Sequence, residues 1–209
     1  MEKVTEELRK HYYYAFKKYG PCSKGVDWGK DKDVILRYKN MLAVILTDET
    51  KINEPYSLLD VGCGYGGLYN YCIDNNIEIL YTGIDVCLNM IEYAKSRYYD
   101  VSFFCEDIFN FNPDKKFDFI VCNGILTQKL ETSFFEMDKF AKNLIKKMFS
   151  LCKKGIAFNI MSTYVNYFSS NLYYKHPAEM LIYCLSEISQ KVKIDHSYGI
   201  YEYTLYIYK

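Results

Sequence analysis

The sequence predicts an α/β fold: a mainly parallel sheet with helices on both faces, behind an N-terminal helical cap. Three observations predict it. Strand-like apolar runs alternate with helical patterns from residue 56 onward, and that alternation marks βαβ units. The stretch "LLDVGCGYGGLYNYC", Leu58 to Cys72, passes from an apolar run through four glycines into a helical pattern. The last two strand-like runs have no helix between them, so they pair antiparallel at one sheet edge.

The elements follow in order. Residues 3–19 and 31–47 read as helices from their apolar spacing. Between them "YGPCSKGVDWG", Tyr19 to Gly29, is a turn-rich loop carrying the only tryptophan, Trp28. "YSLLDV" is a strand and residues 67–74 a short helix. "ILYTGID" is a strand and residues 88–98 a helix. "VSFFC" is a strand, followed by the loop "EDIFNFNPDKK". "FDFIVCN" is a strand, residues 134–152 a long helix and "GIAFNIMS" a strand. An aromatic, polar loop covers 163–176, and Pro177 opens a helix to about residue 189, since proline suits a first helical turn. "KVKIDHSYGIYEYTLYIYK" closes the chain as two strands around a turn at His196 to Gly199. With no linker or repeat in 209 residues, one domain is expected, a cap over 1–50 and a core over 55–209.

Composition narrows the function. Half the residues are apolar, a quarter are charged and the formal net charge is zero. No charge run points to nucleic acid or a membrane surface. No apolar run approaches membrane-spanning length, and the amphipathic N-terminus is unlike a signal peptide. The eight cysteines form no CxxC pair and stand apart from the three histidines. A cytoplasmic protein with reduced thiols and no metal site is expected.

Gly62, Gly64 and Gly67 fit G-x-G-x-x-G between a strand and a helix, where glycine permits a tight turn and close ligand approach. Asp85 ends the second strand near the distance, about 20 residues, expected of a carboxylate that grips ribose hydroxyls. An adenosine-type ligand follows, either a nicotinamide dinucleotide or S-adenosylmethionine. Four features favour the second. Asp60 lies just before the glycines, where a carboxylate suits an ammonium group and repels a pyrophosphate. Gly66 extends the run, Glu106 and Asp107 follow the third strand within reach of an adenine amino group, and the fingerprint sits behind two helices.

The stretches "LLDVGCGYGG", "YTGIDVCLNMIEYAK", "FFCEDIFNF" and "FDFIVCNGILT" together resemble the class I S-adenosylmethionine-dependent methyltransferases. The resemblance spans residues 55–209. It implies a Rossmann-like, doubly wound seven-stranded sheet of order 3-2-1-4-5-7-6, strand 7 antiparallel. It implies that Asp60, Gly62 and Gly64 hold the amino-acid end of the cofactor, with Cys63 among the contacts. Asp85 would take the ribose beside Val86 and Met90. Asp107 and Ile108 would frame the adenine, and Asn123 would sit beside the methyl donor. Trp28 would close over the cofactor. The product would be S-adenosylhomocysteine, and no metal is needed.

Methyl transfer asks the protein to align two reactants, exclude water and help remove a proton. The stretch "CNGI" lacks the prolines of amide, exocyclic-amine and cytosine C5 methyltransferases. A small polar metabolite or sugar is therefore the expected acceptor, met by a monomer or homodimer, with its pocket built from the N-terminal segment and the loop after the fifth strand. That loop and the "GVDWG" segment resemble those of small bacterial methyltransferases. The candidate proton acceptors are His11, Tyr13, Tyr164, His176 and His196. Each also has a plain structural reading: His11 on a lysine-rich helix, His176 ending a loop, His196 in a turn. An RNA or protein methyltransferase is the alternative, followed by a nicotinamide-dependent oxidoreductase or a non-catalytic cofactor-binding module.

Overall fold

The computed structural model describes residues 1–46 and 54–209 of the chain. Helix α1 (Glu2–Tyr19), a 3-10 turn at Ser23–Val26 and helix α2 (Asp31–Leu46) come first. The core then runs β1 (Tyr56–Val61), α3 (Gly67–Asp74), β2 (Ile79–Asp85), α4 (Leu88–Arg97), β3 (Ser102–Cys105) and β4 (Phe117–Cys122). After a 3-10 turn at Ile125–Thr127 come α5 (Phe134–Leu151), β5 (Cys152–Ser162), β6 (Tyr174–Lys175), α6 (Pro177–Glu187), β7 (Val192–Asp195) and β8 (Glu202–Tyr208).

The central strands are apolar on both sides because helices cover both faces. Successive side chains point to opposite faces. Leu59, Ile120, Ile156 and Phe158 therefore pack with α5 and α6, while Leu58, Phe119, Val121 and Ala157 pack with α2 and α3. Two helix starts are written in the sequence. Ser133 and Glu136 form a reciprocal capping box at the head of α5. Pro177 opens α6, with His176 as the cap whose Nδ1 accepts from the Ala178 N–H at 3.2 Å.

Along the sheet the strands run β3-β2-β1-β4-β5-β8-β7. β1 to β5 pair in parallel, and β8 is antiparallel to both neighbours. This is the expected seven-strand path with one addition. The two-residue β6, parallel to β5, was not foreseen and makes eight strands. It is too short to carry a period of its own. β5 begins at Cys152, directly off α5, three residues before the expected start. The second helix is described to Leu46; residue 47, and residues 47–50 of the expected cap, lie outside the described residues.

The register sets the position of the site. Val61 pairs with Ile84 of β2 and Cys122 of β4, so the carboxyl ends of β1, β2 and β4 open at the same edge. Ligands in doubly wound sheets bind at that edge.

Candidate active site

β1 delivers Asp60 and then turns sharply. Gly62 has φ +75°, a conformation that favours glycine, and a Cβ there would lie 2.6 Å from Ile125 Cδ1, so the Ile125 side chain would have to move. The N–H groups of Gly62 and Cys63 donate to the Ile84 carbonyl at 2.8 and 3.1 Å. The Asp85 carboxylate closes the turn from β2: Oδ2 accepts from Gly64 N–H at 2.9 Å and Oδ1 from Cys87 N–H at 2.8 Å. Burial raises the pKa of Asp85, and these backbone donors oppose the rise. Asp60 is 3% exposed, and its Oδ2 accepts from the Tyr81 hydroxyl at 2.6 Å. Burial pushes its carboxyl up to about 7; the Tyr81 hydrogen bond opposes this and the charge of Asp85 adds to it.

These groups wall an open cavity at the carboxyl ends of the strands. Asp60, Gly62, Cys63 and Gly64 line it from the first turn, and Asp85, Val86 and Met90 from the second. Asp107 and Ile108 line it after β3, Asn123 after β4, and Trp28 from the N-terminal loop. Asp107 is already engaged: its Oδ1 accepts from Phe109 N–H and its Oδ2 from the Thr5 hydroxyl, both at 3.0 Å. Four carboxylates, with Glu106 the fourth, face the cavity against one guanidinium, that of Arg9. Among the described residues no group of His, Cys, Asp and Glu could hold a metal ion.

Helix α1 roofs the cavity with Thr5, Leu8, Arg9 and Tyr12. Their spacing, i, i+3, i+4 and i+7, is one helical face. Sequence reasoning missed this face although its period was readable. It chose His11 and Tyr13 for their chemistry, and these flank Tyr12 on either side of the inward direction. His11 Nε2 lies 3.0 Å from Asp27 Oδ2, outside the cavity walls. Tyr13 packs beside Phe16, Cys87 and Met90. Burial pushes the Tyr12 phenol upward, so it stays protonated.

The other three candidates gather elsewhere. The Tyr164 hydroxyl lies 3.1 Å from His176 Nε2, and the rings of Tyr164 and His196 are 6.0 Å apart. The cluster stands beyond the end of β5, and none of the three lines the cavity.

One buried polar chain ties the cavity wall to the rest of the fold. Gly124 N–H donates to Asn159 Oδ1 at 2.8 Å, and Asn159 Nδ2 donates to Glu202 Oε2 at 2.6 Å. Glu202, 2% exposed, also takes the Arg37 guanidinium, whose Nε lies 3.0 Å from both carboxylate oxygens. The Arg37 guanidinium carbon sits 5.0 Å from the Trp28 ring. Beside this chain, both polar atoms of the Asn123 side chain are buried without a partner.

Comparison with known proteins agrees with this geometry. The methyltransferase-domain family pattern matches residues 58–155. A candidate methyltransferase of Mycobacterium tuberculosis is 29% identical over 161 residues, 75% of this chain and 95% of that protein. The chain spans a smaller part of longer relatives: against malonyl-acyl-carrier-protein O-methyltransferase of Acetivibrio thermocellus it is 33% identical over 99 residues, 46% of this chain and 35% of that enzyme. Among solved structures, magnesium protoporphyrin IX methyltransferase of Synechocystis with bound S-adenosylhomocysteine matches with TM-score 0.66 at 15% identity, covering 100% of this chain and 99% of that one. The plantazolicin methyltransferase in complex with a pentazolic analogue and S-adenosylhomocysteine matches with TM-score 0.64 at 15% identity and the same coverage. The chain is similar to methyltransferases in sequence and shares the fold of class I S-adenosylmethionine-dependent methyltransferases. Both of these solved structures hold S-adenosylhomocysteine. Among the described residues no helix is long and apolar enough to cross a membrane.

Proposed function

We infer that the chain methylates a small polar molecule. One observation carries the placement of the cofactor: the carboxylates at three neighbouring strand ends. Asp60 lies at the end of β1, Asp85 ends β2, and Glu106 with Asp107 follow β3. That order suits one extended ligand with an ammonium group, a ribose diol and an adenine amino group in sequence. A dinucleotide would set its pyrophosphate against Asp60 and Asp85.

The sulphonium supplies an electrophilic methyl group and a good leaving group. The residues of this chain do the rest. Asp60 holds the ammonium, and Asp85 accepts from the ribose with lone pairs left free by Gly64 and Cys87. Val86, Met90 and Ile108 cover the nucleoside with apolar surface. Thr5, Leu8 and Tyr12 roof it from α1 and exclude water, so the N-terminal helices form a cap on the core. Asn123, Tyr12 and Trp28 face the acceptor. Tyr12, protonated, orients the acceptor by hydrogen bonding rather than as a base. The proton then leaves to water or to a cavity carboxylate.

A neutral net charge and a roofed cavity favour a small acceptor over RNA or protein. The test supplies methyl-labelled S-adenosylmethionine and the purified protein to separated small-molecule, RNA and protein fractions of a cell extract. Label is expected in the small-molecule fraction. Label in RNA or protein instead would contradict the reading.

A further inference from the structure

Asn123 holds a hydrogen-bonding capacity that the fold does not use. It is 8% exposed, it lines the cavity, and its Oδ1 and Nδ2 are both buried without a partner. Native folds seldom leave a buried amide so, and each such group calls for an explanation. The neighbouring residues are fixed. Gly124 N–H is held by Asn159 Oδ1, and Asn159 cannot reverse its amide because its Nδ2 donates to Glu202. The same Glu202 holds Arg37 behind Trp28. Trp28 in turn lies against Gly124, where a Cβ would come within 3.0 Å of its Cζ2 and Nε1. One chain of contacts thus fixes the Trp28 indole beside Gly124, and Asn123 and Trp28 both line the cavity. Arg37 is not among the cavity's lining residues, and the one Lys or Arg among the described residues that line it, Arg9, has its guanidinium on Glu6.

An amide edge offers a donor beside an acceptor, and its complement is an acceptor beside a donor. Two such hydrogen bonds in one plane select a planar partner, as when asparagine reads an adenine edge. An aromatic face beside it favours a flat ring. Building on the methyltransferase reading of the same cavity, we propose that the acceptor is an uncharged planar ring with a donor beside an acceptor on one edge, a ring lactam or amino-azine. It pairs with Asn123 and lies on Trp28.

The test uses full-length protein saturated with S-adenosylhomocysteine, and 2-pyridone as the lactam probe. Trp28, the only tryptophan, reports stacking by fluorescence, and ligand-observed NMR gives affinities for the variants. 2-Pyridone is expected to quench Trp28 saturably and to bind at least ~10-fold more tightly than N-methyl-2-pyridone, which lacks the donor; glucose should not quench. Asn123→Leu should lower 2-pyridone affinity by ~10-fold or more while S-adenosylhomocysteine affinity stays within ~3-fold. Asn123→Asp, which keeps the shape, should shift preference to 2-aminopyridine. Equal binding of the two pyridones, or an unchanged preference in Asn123→Asp, overturns the proposal. So does loss of S-adenosylhomocysteine affinity in Asn123→Leu, which would assign the amide to the cofactor. Failure of the wild-type chain to bind S-adenosylhomocysteine would instead overturn the cavity's cofactor reading.

Discussion

Replacing Asp60 with asparagine should make the empty protein more stable and the cofactor weaker. Burial lifts the Asp60 carboxyl from 3.8 to about 7, against the pull of the Tyr81 hydroxyl and with the charge of Asp85 adding to the lift. Between those two pH values the folded chain holds a proton that the unfolded chain has released. The stability this proton contributes is complete below pH ~4, falls as pH rises, and is lost above ~7. Three units at 1.36 kcal/mol each make the loss about 4 kcal/mol. The substituted amide would still accept from the Tyr81 hydroxyl and would not titrate. Urea unfolding of both proteins without ligand, in steps from pH 5 to 8, gives the difference directly. The variant should gain on the wild type by about 3 kcal/mol between pH 5 and 8, since two of the three units lie in that window. Taking the difference removes the part of the Asp85 contribution that burial causes, because burial raises Asp85 in both proteins. At pH 8 the variant should bind S-adenosylmethionine ~2 kcal/mol more weakly, having lost the charged partner of its ammonium group. A difference in stability that stays flat from pH 5 to 8 would refute the reasoning.

Two further substitutions test the supports of the site. Asp85→Asn leaves one acceptor oxygen for two backbone donors, so urea unfolding should show a loss of about 1–3 kcal/mol and calorimetry a weaker cofactor; unchanged values in both would contradict the stapling role. Glu202→Leu strands the buried guanidinium of Arg37 and should cost about 3–5 kcal/mol in chemical unfolding. The double variant Arg37→Met/Glu202→Leu should recover most of that loss, and an equal loss in both would contradict the pairing.

What the sequence made legible was local. Asp60, Gly62, Gly64 and Asp85 stand at strand ends and turns whose geometry neighbouring residues determine, and each reaches the cavity wall. Trp28 also reaches it, carried on a glycine-flanked loop. The roof was less legible. Thr5, Leu8, Arg9 and Tyr12 follow from helical phase, whereas His11 and Tyr13 were singled out for their chemistry, one position either side. Tyr164, His176 and His196 do share a cluster, but only the tertiary fold decides that it stands beyond the end of β5 and not in the cavity. The pairing of Arg37 with Glu202 joins residues 165 positions apart, and no local pattern announces it. β6 pairs only because the loop before α6 returns to β5.

The central claim is that the cavity holds S-adenosylmethionine through the carboxylates at the ends of β1, β2 and β3. Titration calorimetry with S-adenosylmethionine, S-adenosylhomocysteine, NAD and NADP, each alone, tests it most directly. Saturable one-to-one binding of the first two, weakened in both Asp60→Asn and Asp85→Asn, is the predicted result. Binding of a dinucleotide in preference, or wild-type affinity in both variants, would contradict it.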